Sequence, residues 1–149
     1  MSEAKNIISP QAMHHLTNCG FYDIIEIMGG VAMKENKLVE LSMGFSVDII
    51  NLVKFLKANH ETIIANQIVR SGTSIGANIH EAQYAQGTKD FASKFEIALK
   101  EASETGYWLD LLYRTSYIDE PTFKTRSSKC TSLRDMLIAS CKTAKENNK

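Results

Sequence analysis

The segment from Arg70 to Ile79 concentrates the glycine and hydroxyl residues that could bind a phosphate group. It reads Arg-Ser-Gly-Thr-Ser-Ile-Gly-Ala-Asn-Ile. A P-loop would follow a strand and end in Gly-Lys-Ser or Gly-Lys-Thr, and the sequence has neither feature here. Apolar residues continue through the segment at helical spacing. We therefore interpret its small residues as a surface that lets two helices approach closely.

Four polar residues follow one another on the same predicted helix at steps of four, four and three, which places them on one face. They are Arg70, Ser74, Asn78 and Glu81, and we call this row the polar stripe. The stripe has two interpretations: a row that faces a ligand, or a contact between helices or subunits. We favour the contact, in which its charged ends pair with a neighbouring helix through Lys100, Glu101 or Glu104.

The histidines lack the spacing that metal binding needs. His80-Glu81 begins like the zinc motif HExxH, but Tyr84 stands at the position of the second histidine. The Glu-x-x-His motif of di-iron helical bundles does not occur. The sequence therefore predicts no catalytic, cofactor-binding or metal-binding residue, and we expect the protein not to be an enzyme. The other histidines lie in the N-terminal region or in a predicted loop: His14, His15 and His60.

The cysteines Cys19, Cys130 and Cys141 form no CxxC pair and are odd in number, which is typical of free thiols in a reducing compartment. Cys130 and Cys141 share one face of a predicted helix, where two small buried apolar side chains fit better than a reactive pair. The N-terminal region has no signal-peptide pattern, and its apolar run is interrupted by Asp23, Glu26 and a double glycine. We expect a cytoplasmic protein with no membrane partner.

The chain has 17 basic and 17 acidic residues and no net charge, which argues against a protein surrounded by a large positive field. The last predicted helix is nevertheless mildly basic. We interpret its cations as an ordinary solvated face, and a strip that binds RNA is the alternative. The candidate nucleic-acid contacts are Lys124, Arg126, Lys129, Arg134 and Lys142.

Apolar residues recur at steps of three and four over four segments, which predicts four amphipathic helices. Helix one runs from Leu38 to Ala58, with Val39, Ile50 and Val53 widening its buried stripe. Helix two follows cap residues in 59–62 and runs to Gln86. Gly87 is expected to end it in the left-handed conformation, with Thr88 capping helix three, which extends to about Ser116. Helix four begins near Pro121 and reaches Ala144.

Short connections between helices of this length predict an all-α fold, an antiparallel up-and-down four-helix bundle. Two prolines and eight glycines give little of the turn chemistry that a β-sandwich needs. We divide the chain into a weakly organised leader, residues 1–33, and the bundle domain, residues 34–149. Because the patterned part opens at Met33, we expect Met33 to be a natural start.

Residues 68–82, Ile-Val-Arg-Ser-Gly-Thr-Ser-Ile-Gly-Ala-Asn-Ile-His-Glu-Ala, resemble the four-helix-bundle family of 23S rRNA intervening-sequence proteins. The similarity continues through Asp90-Phe91, Lys94-Phe95, residues 97–102 and Glu104–Leu109. The resemblance covers roughly residues 34 to 146. It implies a bundle that assembles into a ring, typically a pentamer. The family is also similar to a basic pentameric accessory protein of diversity-generating retroelements, which works with a reverse transcriptase and its RNA.

The residues and the resemblance together predict a homo-oligomeric, non-enzymatic scaffold or adaptor without a cofactor. The expected partner is the chain itself, in a pentamer. The alternative is a ring that binds RNA or a nucleoprotein through the cations of helix four. In either case we expect the polar stripe to order packing within or between subunits.

Overall fold

The computed structural model describes residues 32–146, with side chains from Lys37 onward. This part of the chain forms four α-helices: α1, Ala32–Ala58; α2, Ile63–Ala82; α3, Thr88–Arg114; and α4, Glu120–Glu146. Each helix contacts its neighbours in sequence, and a less extensive contact between α4 and α1 closes the bundle. The fold is the predicted all-α, up-and-down four-helix bundle.

The core consists mainly of the apolar residues that recur along the helices at steps of three and four, as predicted. Helix α1 buries Leu38, Phe45, Ile49, Leu52 and Leu56, and the other three helices contribute matching apolar rows. The predicted width of the stripe on α1 was wrong at one position. Ile50 faces solvent, because its Cβ lies about 100° around the helix from that of Ile49 and about 60° beyond that of Val53, which marks the edge of the buried stripe. Val53 is buried, as predicted.

Two glycines bring α1 and α2 close together. A Cβ on Gly72 would lie 2.9 Å from Cγ1 of Ile49, and one on Gly76 would lie 3.1 Å from Oγ of Ser46. Ser46 in turn donates its hydroxyl proton to the carbonyl of Ser42. The geometry confirms the interpretation of the small residues in this segment as a surface for close helix contact.

The connection between α2 and α3 differs from the prediction. Helix α2 ends at Ala82 rather than at Gln86, and no left-handed residue follows it directly. Gly87 has φ 158° and ψ 173° and precedes the first residue of α3, so it caps the next helix rather than ending the previous one. Thr88 is already helical, and the Asp90 side chain accepts the backbone N–H of Gln86. Asp90 therefore provides a hydrogen-bond acceptor for the backbone N–H of Gln86, just before the helix.

Helices α1 and α3 end in the same motif without glycine. His60 and Ser116 have φ 62°. The N–H of Glu61 donates to the carbonyl of Leu56, and the N–H of Tyr117 donates to that of Leu112. These are the six-to-one hydrogen bonds of a Schellman motif, in which glycine is the residue preferred at the left-handed position.

Side chains cap the two helices that follow these turns. Glu61 accepts the N–H of Ile64 at 2.6 Å, whereas Thr62, a predicted cap, makes no side-chain cap bond. Asp119 accepts the N–H of Thr122 at 2.9 Å at the start of α4, which has Pro121 in its first turn as expected. Hydrogen bonds from Thr122, first from its side chain and second from its backbone N–H, lower the pKa of the Asp119 carboxyl, because they stabilise the charged form.

Several expectations concern residues 1–31 and 147–149, which lie outside the described part of the chain. They are the leader, the positions of His14, His15 and Cys19, and the end of the bundle domain. Helix α1 already includes Ala32 and Met33, the last two residues that the sequence analysis assigned to the leader.

Candidate functional site

The two charged ends of the polar stripe bind α3 of the same chain. At one end, Arg70 donates to Glu104 and lies 4.0 Å from a carboxylate oxygen of Glu101. At the other end, Glu81 pairs with Lys94 at 2.5 Å rather than with Lys100. The hydrogen bond to Glu81 raises the pKa of Lys94. The stripe therefore follows the seam between α2 and α3.

In the middle of the stripe, a hydrogen bond forms within α2. The amide of Asn78 donates to the carbonyl of Ser74 at 2.8 Å, and both side chains are half-buried. Across the seam, Glu104 also accepts the indole N–H of Trp108 at 3.1 Å, while one carboxylate oxygen of Glu101 is buried without a hydrogen-bond partner. The stripe forms a polar border to the α2–α3 contact, and α3 engages both of its charged ends.

Behind this border, a buried hydroxyl pair joins α2 to α3. Oγ1 of Thr105 lies 3.0 Å from Oγ of Ser71, and Thr105 also donates to the carbonyl of Glu101. Both residues are fully buried. The pair was not predicted from the sequence. The signal was available, because Thr105 and Ser71 are hydroxyl residues on faces that are otherwise apolar.

The five candidate nucleic-acid contacts do not form one strip. Lys129 reaches across to Asp48 of α1 at 2.5 Å, and Lys124 pairs with Glu120 of its own helix at 2.6 Å. Arg126 is half-buried, with one guanidinium nitrogen donating to the carbonyl of Thr122 and its Nε buried without a partner.

The other two candidate cations are exposed. Within the described side chains, Arg134 and Lys142 make no ion pair. Lys142 lines an open groove of about 440 Å³ between α3 and α4, whose walls include Leu99 and Ile138. Lys145, on the same groove, pairs with Glu96 at 2.8 Å, which raises the pKa of Lys145 and lowers that of Glu96. Arg134 and Lys142 are therefore the candidates that remain available to a polyanion.

The two cysteines of α4 are buried and unpaired thiols. Sγ of Cys130 lies 3.2 Å from the carbonyl oxygen of Ala102, and burial raises the pKa of Cys130 to about 11. Burial also raises the pKa of Cys141. A thiol whose pKa is raised has little of the thiolate that a nucleophile or a metal ligand requires at neutral pH.

The described residues contain no cluster of three or more His, Cys, Asp or Glu side chains that could hold a metal ion. In the same part of the chain, none of the helices combines the length and apolar character needed to cross a membrane.

Comparison with known proteins places these features in a family. The family model described as 23S rRNA-intervening sequence protein matches residues 34–139. The chain is also similar to a crystal structure of a protein with unknown function from the S23 ribosomal protein family of Bacteroides thetaiotaomicron. The identity is 47%, the TM-score is 0.72, and the match covers 73% of this chain and 98% of the other. No curated protein matches.

Proposed function

From the premise that this chain belongs to the 23S rRNA-intervening sequence protein family, we propose that it is a self-associating, non-enzymatic helical bundle that acts as a scaffold or adaptor. A ring of five copies is the assembly that the family resemblance implies. We also propose that it acts in the cytoplasm, where the buried free thiols of α4 would stay reduced.

The observation that supports self-association is the number of large apolar side chains on the outside of the bundle. They occur on all four helices and include Met43, Val47, Ile50, Phe55, Ile63, Tyr107 and Ile138. Exposed apolar patches on small proteins commonly mark contacts with other proteins. The chain has no net charge, so copies do not repel one another strongly.

Light scattering of the purified full-length chain over a range of concentrations tests self-association. We expect a mass that is a whole multiple of the subunit mass, and five subunits would agree with the ring. A subunit that stays monomeric at every concentration would contradict the proposal. Native mass spectrometry gives the subunit number independently.

We propose that the polar stripe orders the packing of α2 on α3 within the subunit. Arg70→Met then lowers the free energy of unfolding and leaves the assembly mass unchanged. Asn78→Leu tests the middle of the stripe, because leucine cannot donate to the carbonyl of Ser74. Loss of assembly with either variant, at unchanged subunit stability, would show that the stripe contacts another subunit instead.

A second candidate function, binding of RNA or a nucleoprotein, is favoured by Arg134 and Lys142, two exposed cations of α4 that make no ion pair among the described side chains. Arg134→Glu with Lys142→Glu should weaken binding of structured RNA and reduce its dependence on salt. Lys124→Glu is the matched control, because Lys124 already pairs with Glu120. Failure of the wild-type chain to bind RNA near physiological salt would exclude this function, and equal effects of the test and control variants would exclude Arg134 and Lys142 as the contacts.

A further inference from the structure

Helix α1 carries a second apolar row on the side away from the core. Met43, Val47 and Ile50 are 60%, 51% and 41% exposed and follow one another at steps of four and three residues. The same spacing continues to Glu40 on one side and to Lys54 on the other, and both are exposed. We call these five residues the outer seam. Alternating steps of three and four are the spacing of a helix face that packs against another helix.

The outer seam is complementary to itself when two copies run antiparallel. Glu40 lies seven residues before Val47, and Lys54 lies seven residues after it. A two-fold axis at Val47 therefore brings Glu40 of one copy opposite Lys54 of the other and sets Met43 against Ile50. Neither Glu40 nor Lys54 has an ion-pair partner among the described side chains. A parallel arrangement would instead place like charges together at both ends of the contact.

Gly44 provides a separate observation beside this row. It lies in the interior of α1, is exposed, and a Cβ at its position would meet nothing within 4 Å. Glycine inside a helix is destabilising relative to alanine, and the subunit alone offers no steric reason for it. Small residues at a helix contact let the two backbones approach closely. A second helix packed on the outer seam would explain why glycine occupies this position.

We propose that two copies of this chain associate through the outer seam of α1, antiparallel about a two-fold axis at Val47. This inference rests on the proposed self-association and assigns a surface and a symmetry to it. The apolar centre of the contact provides the association energy, and the charged ends select the antiparallel orientation. Where the two-fold axis is perpendicular to the axis of a ring and meets it, the contact doubles the number of subunits, so a ring would become a pair of rings.

Val47→Glu is the most direct test, because a residue on the axis meets its own copy and the substitution places two carboxylates together. We expect the mass from light scattering to fall by half, with a dissociation constant of the contact raised on the order of a hundredfold. Ile63→Glu is the control, since Ile63 is 77% exposed at the start of α2, outside the seam. Circular dichroism checks that both variants remain helical.

Charge exchange tests the orientation. Glu40→Lys and Lys54→Glu should each weaken the association, on the order of tenfold, because each places like charges opposite one another. The double variant should restore the wild-type affinity. Gly44→Ala should stabilise the isolated subunit and weaken the association.

The outcomes separate this proposal from the previous one. A monomeric wild-type chain would refute both. A wild-type assembly with an odd number of subunits, or one that Val47→Glu leaves intact, would refute the outer seam alone. Failure of the double charge variant to restore affinity would refute the antiparallel arrangement.

Discussion

The substitution Gly72→Ala probes the closest helix contact of the bundle. An added Cβ would lie 2.9 Å from Cγ1, 3.0 Å from Cγ2 and 3.3 Å from Cβ of Ile49. Ile49 is fully buried in the core, and the new methyl group would contact both γ-carbons that branch from its Cβ. The side chain cannot rotate away, because a β-branched residue in a helix has essentially one rotamer. Helices α1 and α2 would have to move apart.

Two opposing effects determine how much Gly72→Ala changes the free energy of unfolding. Overpacking a well-packed core costs about 1–3 kcal/mol, and the rigid branched neighbour places this site in the upper half of that range. Replacing glycine by alanine inside a helix returns about 1 kcal/mol. We therefore expect Gly72→Ala to lower the free energy of unfolding by about 1–2 kcal/mol.

Urea denaturation at a fixed subunit concentration, followed by circular dichroism, measures this difference. Gly106→Ala is the matched control, because a Cβ at Gly106 of α3 would meet nothing within 4 Å. It should raise the free energy of unfolding by about 0.5–1 kcal/mol through the helix preference alone. The effect of Gly76→Ala on the free energy of unfolding should lie between those of the other two substitutions, since the added Cβ would lie 3.1 Å from the hydroxyl of Ser46.

A double-mutant cycle shows whether Ile49 is the cause. Ile49→Ala removes both Cγ atoms and leaves room for the new methyl group, so Gly72→Ala should become neutral or stabilising in that background. We expect a coupling of about 1–3 kcal/mol between the two positions. The steric reasoning would be refuted if Gly72→Ala stabilised the wild-type chain as much as Gly106→Ala does, or if the two substitutions were additive.

Three further predictions concern helix ends and thiols. Ser116→Gly should raise the free energy of unfolding by about 0.5–1 kcal/mol in urea denaturation, because φ is 62° there; a loss of stability would contradict the Schellman assignment. The lowered pKa of Asp119 means that its contribution to stability is present above the ordinary value of 3.8 and is lost as the pH falls through the folded pKa. Denaturation at several pH values should therefore show Asp119→Ala destabilising the protein at pH 7 and progressively less as the pH falls below 3.8; a loss of stability that does not depend on pH would refute the charged cap. Cys130 should resist iodoacetamide at pH 8 in the folded protein, because its pKa is about 11, and peptide mass spectrometry would detect any alkylation.

Much of the fold could be predicted from the sequence, because the period of the apolar residues is a direct consequence of helix geometry. Phe45, Ile49 and Leu52 follow that period and are buried. The edge of a stripe is harder to predict, since Ile50 and Val53 are both apolar and the placement of the neighbouring helices decides how far around α1 the buried stripe extends. The left-handed residues His60 and Ser116 carry no composition signal, because the turn geometry around them overrides the preference for glycine.

At the candidate site, too, the contacts that could not be predicted from the sequence depend on how the helices are placed against one another. The partners predicted for both ends of the polar stripe, Lys100, Glu101 and Glu104, lie within the same short part of α3. In an antiparallel pair, moving eleven residues along α2, from Arg70 to Glu81, moves the contact about as far back along α3, from Glu104 to Lys94. The cations of α4 were grouped by their position in the chain. Their directions around the helix differ, so Lys129 faces α1.

The hydroxyl pair between Ser71 and Thr105 also affects how this sequence can change. Each hydroxyl is shielded from water, so replacing one residue with an apolar residue removes the hydrogen bond between them and leaves the other hydroxyl with a backbone carbonyl of its own helix, that of Gln67 or Glu101, as its partner. Replacing both with apolar residues of similar volume removes that penalty and is nearly neutral. The two positions should therefore vary together among homologous chains, with both polar or both apolar. A chain that changes only one of them passes through a less stable intermediate.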